Sequence, residues 1–279
     1  ADMKKVTIEK NTVQETLIIP LYGRKMCSEK FPELYRDVYA ERLCDRLDYD
    51  FSELEKKKNS FLYEFGALEA AMRQLDMIWE IKDYLGKYPK AAIVNLGCGL
   101  DETGKACDNG LCTMVNVDFP DVISVREQLV DKYERETNIP CDLNDYSWMD
   151  QVDGSNGVIF FAAGVFHCFK QEEVKSLVLE LSKRYPGGCL VFDSVGKLGL
   201  KLMMSKTLKN MGISDVDGYF YVNNPPENLN WSESIKATSK GYMLGYYDMK
   251  SPGVHFLHRL LASIGDKAMK MSINRMDFE

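Results

Sequence analysis

Four short, unbroken apolar runs stand out along the chain: AAIVNL from 91, LCTMVNVD from 111, GVIFFAAGVF from 157 and GGCLVFDSV from 187. Each is too short for a helix and shows no regular polar alternation, so each predicts a strand covered on both faces. Between them the apolar spacing changes to three and four, with Val122, Val125, Leu129 and Tyr133 after the second run and Val174, Leu177, Val178 and Leu181 after the third. Strand and helix therefore alternate. That order predicts a doubly wound α/β fold, with a mostly parallel sheet and right-handed crossovers.

Ahead of the first strand, TVQETLIIPLYGRKMCSEKF places Val13, Leu17 and Leu21 on one helical face, with Thr12 as N-cap and a kink at Pro20. A second helix is expected after Pro32, with Leu34, Val38 and Leu47 inward. DYDFSELEKKKNS reads as a solvated connection. A long amphipathic helix then runs from Phe61 to Leu85, its stripe formed by Phe65, Leu68, Met72, Leu75 and Trp79, and stops at Gly86 with Pro89 beyond. Arg73 lies beside that stripe. After Gly196 a helix is predicted over LGLKLMMSKTLKNMG and another over PGVHFLHRLLASIG, with strand character in GYFYV, SIKATS and MKMSINRMDF. These boundaries give one domain over 1–279, with 1–60 as an N-terminal helical cap and 61–279 as the α/β core carrying late insertions on the substrate side.

Composition narrows the partners. Hydrophobic residues at 45% and charged residues at 28% are ordinary for a folded globular chain, and a net charge of −7 disfavours a nucleic-acid backbone. No run is apolar enough to span a bilayer, and Met3, followed by Lys4 and Lys5, leads into no signal-peptide core, so a cytoplasmic protein is expected. The eight cysteines are spread out, several inside apolar runs, as free thiols are. Cys107 and Cys112 lack a second close pair, so no metal site is expected.

The chemistry sits between the first two strands. In NLGCGLD the chain leaves a strand and turns sharply, with Gly97 and Gly99 giving a ligand room to approach the backbone. Asp118 closes the second strand 21 residues after Gly97, near the spacing at which an acid reaches a ribose diol. A dinucleotide site wants a third glycine at position 102 to seat a helix N-terminus against the pyrophosphate. That residue is Glu102, and Asp101 precedes it, so a diphosphate is disfavoured and a cationic ligand such as S-adenosylmethionine is compatible. Asp142, in IPCDL, reads equally as a loop charge or as an acceptor for an adenine amine.

TLIIPLYGRKM, MRQLD, VNLGCGLD, VDFPDVI, CDL and GVFHCFKQEEVKSLV together resemble the leucine carboxyl methyltransferase family, and within it the bacterial branch of tetracenomycin-type polyketide-synthesis O-methyltransferases. The resemblance implies an S-adenosylmethionine-dependent methyltransferase with a seven-stranded sheet whose last strand runs antiparallel. It implies that Arg73 holds the donor's carboxylate, that Gly97, Gly99 and Asp101 flank its amino-acid portion, and that Asp118 binds the ribose. Asp142 and Leu143 would frame the adenine, and Ala163 would lie on the fourth-strand motif. Arg24 matches a basic position that assists Arg73 or binds substrate. The sequence departs from the family's pattern where Ala163-Gly164 replaces Glu-Gly, where Cys168 takes a tyrosine position, and where the arginine expected soon after GLD is absent from DETGKACDNG.

Methyl transfer is an in-line displacement, so the protein must align acceptor, methyl and sulfur and exclude water. A carboxylate acceptor needs no base, whereas a phenol benefits from one. His167, next to the fourth run, is the candidate base; His255 and His258, on a late helix, are expected to be structural. Phe166, Tyr221 and Trp231, within a denser aromatic set, are the candidate acceptor walls. The expected reaction is O-methylation of a hydroxyl or carboxylate on a small polyketide-like or aromatic molecule. The alternatives are carboxyl methylation of a peptide or protein terminus, and a donor-binding protein without turnover.

Overall fold

In the computed structural model, which describes residues 4–10, 13–210 and 215–279, the chain begins with a two-residue strand β1 (Val6–Thr7). Helices α1 (Val13–Thr16), α2 (Ile18–Lys30) and α3 (Val38–Asp45) follow, then β2 (Leu47–Asp48), which pairs with β1, and a short helix α4 (Ser52–Lys57). The long helix α5 (Phe61–Lys87) leads to β3 (Ala92–Leu96), α6 (Thr103–Ala106), β4 (Thr113–Asp118), α7 (Pro120–Leu129) and β5 (Glu136–Pro140). Then come β6 (Val158–Ala162), α8 (Gln171–Arg184), β7 (Cys189–Ser194), α9 (Lys197–Asn210), β8 (Ile235–Gly241), α10 (Phe256–Ala268) and β9 (Ser272–Phe278).

The main sheet has seven strands in the order β5-β4-β3-β6-β7-β9-β8, parallel from β5 to β7, with β9 antiparallel to both neighbours. Alternate residues of the central strands feed two cores. Val94, Leu96, Phe160, Leu190 and Phe192 meet Val174, Leu177, Val178 and Leu181 of α8. Ile93, Ile159, Phe161 and Val191 meet Leu68, Met72, Met77 and Ile81 of α5. The four α8 residues are fully buried, each contributing roughly 1.5–3 kcal/mol of transfer free energy. A third cluster packs Leu21, Tyr22 and Met26 of α2 on Val125 and Leu129 of α7, which fixes the N-terminal helices beside the carboxyl end of the sheet.

Several local expectations shift. Thr12 lies outside the described residues. The break expected at Pro20 falls at Leu17, the residue between α1 and α2. Pro20 then sits in the first turn of α2, where its missing N–H has no intrahelical partner to lose. The connection after Asp50 contains α4, started by the Asp50 carboxylate accepting from the Ser52 N–H at 3.0 Å. Val38 is exposed, and Leu47 is buried from a strand rather than a helix. Trp79 is 41% exposed, outside the core, and its ring lies under the Lys240 ammonium at 4.1 Å. Helix α7 ends at Leu129, so Tyr133 belongs to the following loop. GYFYV forms a single bridge, Tyr219 to Lys170, instead of a strand, while Phe220 fills the core.

Candidate active site

The strand order reverses between β3 and β6: the chain adds β4 and β5 on one side of β3, then crosses to β6 on the other. Ligands bind such sheets outside the carboxyl ends of the strands at that reversal. A cavity of about 410 Å³ lies there, walled by the turn after β3, the loop after β6, and residues of α1, α2 and α5. It brings together Arg24, Arg73, Gly97, Gly99, Asp101, Asp118, Ala163 and His167.

The turn after β3 is held from both sides. Gly97 and Gly99 have φ of +68° and +49°, conformations that a side chain at either position would strain. A Cβ on Gly97 would come within 2.7 Å of Val165, so the β3 and β6 loops pack directly on one another. The Gly99 N–H donates to Asp118 Oδ2 at 2.9 Å and the Phe119 N–H to Asp118 Oδ1 at 2.8 Å. Each oxygen keeps a lone pair for a further donor. Burial nonetheless raises the Asp118 pKa, against the lowering effect of those two N–H groups.

Beneath the turn, Arg126 of α7 donates through Nη1 to the carbonyls of Gly99 at 3.0 Å and Asp101 at 2.7 Å. It also forms part of a buried ionic quartet. Arg126 Nη2 lies 3.5 Å from Glu136, Lys105 lies 3.8 Å from Glu136, and Lys105 donates to Glu102 at 2.7 Å, all four side chains at most 6% exposed. Position 102 therefore lies outside the lining of that cavity. The disfavour toward diphosphate inferred from Glu102 fails as stated, because its carboxylate is neutralised by Lys105 in a separate cavity; the acids that line the ligand's space are Asp101 and Asp118.

Asp101 accepts from three directions. Gln74 Nε2 donates to it at 3.0 Å, Thr103 Oγ1 at 2.7 Å and Asn95 Nδ2 at 3.1 Å. Gln74 also donates to Asp37 at 3.3 Å, and Asp37 receives Arg24 Nε at 3.2 Å. A polar chain thus runs from α2 through α5 to the glycine turn. Burial lowers the Arg24 pKa, but Asp101, Tyr35 and Asp37 outweigh it, so the guanidinium is held charged at the cavity wall.

Arg73, also in the cavity lining, places Nη1 3.8 Å from Asp193 Oδ2 at the end of β7, and Asp193 Oδ1 accepts from the Gly164 N–H at 2.6 Å. Gly164 has φ of +68°, and a Cβ there would sit 2.6 Å from Arg73 Nη1. Glycine at 164 leaves the guanidinium the space that a side chain there would take. Burial lowers the His167 pKa, with Arg73 adding to the effect and Asp193 opposing it. Burial thus favours its neutral imidazole.

The remaining candidates lie elsewhere. Asp142 is exposed just beyond β5, near Asp118 through the Cys141 N–H to Asp118 carbonyl bond at 2.9 Å, and its Oδ1 accepts from the Asn144 N–H at 2.9 Å. Leu143 is buried in the core under that loop. Phe166 is 1% exposed and packs on Phe192 and Phe220, so it is a core residue rather than an acceptor wall. Trp231 packs edge-on against Phe220. Tyr221 faces a separate open depression with Gln171, Tyr219 and Asn228. Gln74, Asn95, Arg126 and Asp193 were not anticipated. Of these, only Arg126 left a sequence signal, standing four residues after Val122 on the inward stripe of its helix. It grips the turn that lacks the family's usual nearby arginine.

A doubly wound sheet with a glycine turn at its switch point, a ribose-type acid on the next strand and an arginine facing the turn is the frame of an S-adenosylmethionine-dependent methyltransferase. The sequence profile of the leucine carboxyl methyltransferase family matches residues 21–180, and the chain belongs to that family. It is 28% identical over 191 residues, 68% of each chain, to the tetracenomycin polyketide synthesis O-methyltransferase of Streptomyces glaucescens. Among solved structures, the plantazolicin methyltransferase BpumL in complex with SAH superposes with a TM-score of 0.50 at 13% identity, covering 95% of this chain and 99% of that one. A DUF574 family protein from Streptomyces avermitilis gives 0.59 at 12% identity, covering 91% and 100%. The chain is an S-adenosylmethionine-dependent methyltransferase of α/β class. Among the described residues no helix is long and apolar enough to cross a membrane, and no cluster of His, Cys, Asp or Glu is built to hold a metal.

Proposed function

We propose that this methyltransferase transfers its methyl group to a hydroxyl or carboxylate oxygen of a small polyketide-like or aromatic molecule. One observation carries the assignment of the site: Arg73 and Asp118 line one cavity together with a glycine turn that packs directly on the loop after β6. Arg73 binds the donor's carboxylate, an anion its planar fork matches. Arg24 and Asp101 complete the charged end of the cavity. Gly97 and Gly99 admit the donor to the backbone, and Asp118 receives the ribose hydroxyls on its free lone pairs. Asp142, exposed beyond β5 where the Cys141 N–H donates to the Asp118 carbonyl, bounds the adenine end, with Leu143 packed in the core beneath it, and Ala163 lines the cavity beside Gly164. The bound S-adenosylmethionine supplies an electrophilic methyl on a sulfonium.

His167, neutral and on the cavity wall, takes the proton of a hydroxyl acceptor at its free imidazole nitrogen. The likeness to the tetracenomycin enzyme supports a small acceptor. The eight thiols, none in a disulfide, support a cytoplasmic setting, and the placement of Pro20 and Arg24 in the cavity wall supports 1–60 as a cap on a single unit.

The test is transfer of labelled methyl from S-adenosylmethionine to a panel of aromatic hydroxy-acids, with protein and peptide included as acceptors. Label on the small acceptors is the expected outcome; base-labile label on protein alone would overturn the reading. His167→Gln should lower kcat on hydroxyl acceptors while sparing carboxylate acceptors, with the wild-type rate rising through a pKa below the usual histidine value. Equal losses on both acceptor types would remove His167 from the role of base.

A further inference from the structure

Helix α10 is mounted the wrong way round for a solvated surface. Its inward face is small or polar: His258 and Ala262 are fully buried, and Gly265 lies so close to Met271 that a Cβ would meet the sulfur at 2.7 Å. The outward face carries the large apolar side chains, with Phe256 68%, Leu257 59%, Leu260 45% and Ile264 45% exposed. The patch continues onto the start of α5. The Phe61 ring stacks on His258 at 4.5 Å, is itself 37% exposed, and is followed by Leu62 at 75%. A helix that turns its apolar residues outward is covered in the working protein by something else.

We propose that a second copy of this chain covers it, as a two-fold dimer with the α10 helices antiparallel across the axis. Taking about 200 Å² for a fully exposed aromatic and slightly less for Leu or Ile, the six side chains expose about 600 Å² per copy. That is at the upper limit for a patch on a monomer, while two such patches face to face bury about 1,200 Å², enough for a stable interface. The patch is self-complementary. In an antiparallel pair the Phe256 end of one helix meets the Ile264 end of the other, and Leu260, midway between them, lies near the axis. A bilayer surface is the poorer match. The chain carries a net charge of −7, and α10 has only Arg259 and Lys267 as basic residues, its face opposite the patch being packed into the protein rather than rich in lysine and arginine. None of the six patch residues lines the cavity at the carboxyl end of the sheet.

Sedimentation velocity over a micromolar concentration series tests this on the full chain. Wild type should sediment at twice the chain mass. Leu260→Glu and Leu260→Lys should each sediment as monomers with unchanged circular dichroism and donor affinity, because the substituted side chain is already half in solvent. Mixing the two should restore the dimer, since opposite charges then meet near the axis. A monomeric wild type, whether or not it floats with phosphatidylcholine vesicles, overturns the proposal, as does a dimer that both substitutions leave intact.

Discussion

Gly164→Ala separates the donor site from the fold more cleanly than removal of any charged group. The backbone at 164 has φ of +68°, and an alanine held in that region costs about 1–2 kcal/mol of stability. The new Cβ would lie 2.6 Å from Nη1 and 2.9 Å from Cζ of Arg73. Those atoms end a flexible side chain, so the clash is relieved by swinging the guanidinium away and adds little to the stability cost. The displacement instead falls on binding: an arginine out of line forfeits a charge-assisted hydrogen bond of about 1.5–3 kcal/mol, or about 10- to 150-fold in donor affinity. Calorimetric titration should show that loss with S-adenosylmethionine. A decarboxylated analogue, which offers Arg73 nothing to bind, should lose far less. Thermal melting should fall by only a few degrees, at about 2–4 °C per kcal/mol for a chain of this size. Donor affinity equal to wild type in a protein with the lowered melting point would refute Arg73 as the carboxylate anchor.

Other consequences are open to measurement. Asp118→Ala should weaken S-adenosylmethionine by roughly 1–3 kcal/mol and should also loosen the Gly99 turn, seen as faster exchange of the Gly99 amide; a slow amide with intact affinity would count against both roles. Arg126→Met removes one partner from the buried quartet and should cost about 3–5 kcal/mol in denaturant unfolding, far more than a surface arginine such as Arg42. Asp76 is fully buried with both oxygens unpartnered, and burial, with Asp266 and Glu80 adding, pushes its pKa up to about 9. The folded protein keeps a proton that the unfolded chain releases above its ordinary carboxyl pKa. This group therefore costs nothing in strong acid and drains stability as pH rises toward 9, by at most about 1.4 kcal/mol per unit. Asp76→Asn should flatten that slope between pH 6 and 8.5; an unchanged slope would mean the carboxyl is ionised in the fold.

The sheet was readable because strands buried on both faces leave little but apolar residues, and β3, β4, β6 and β7 each fall inside a predicted run. The late strands β8 and β9 were visible as SIKATS and SINRMDF, but their place at the sheet edge depends on long-range pairing that local pattern does not encode. GYFYV looked like a strand because aromatic and β-branched residues suit any buried extended segment. Phe166 and Trp231 misled for a related reason: side chains of that kind build cores and pockets alike, and here they build the core. The glycine turn and Asp118 were legible through their spacing. Gln74, Asn95 and Asp193 were not, since a polar residue among apolar neighbours carries no mark of which partner satisfies it. Glu102 shows the converse, a charge whose identity was plain and whose direction was decided by Lys105 three residues away.

The ionic quartet under the glycine turn bears on how this protein fails when heated. Two cations and two anions, all buried, hold the Gly99 and Asp101 carbonyls through Arg126. The hydration such charges forgo is worth less as water warms, whereas apolar packing gains nothing further per unit area. Heating thus shifts the balance toward the floor of the donor site relative to the apolar layers around it. Unfolding should start at the β8 edge of the sheet, with the glycine turn among the last segments to exchange its amides.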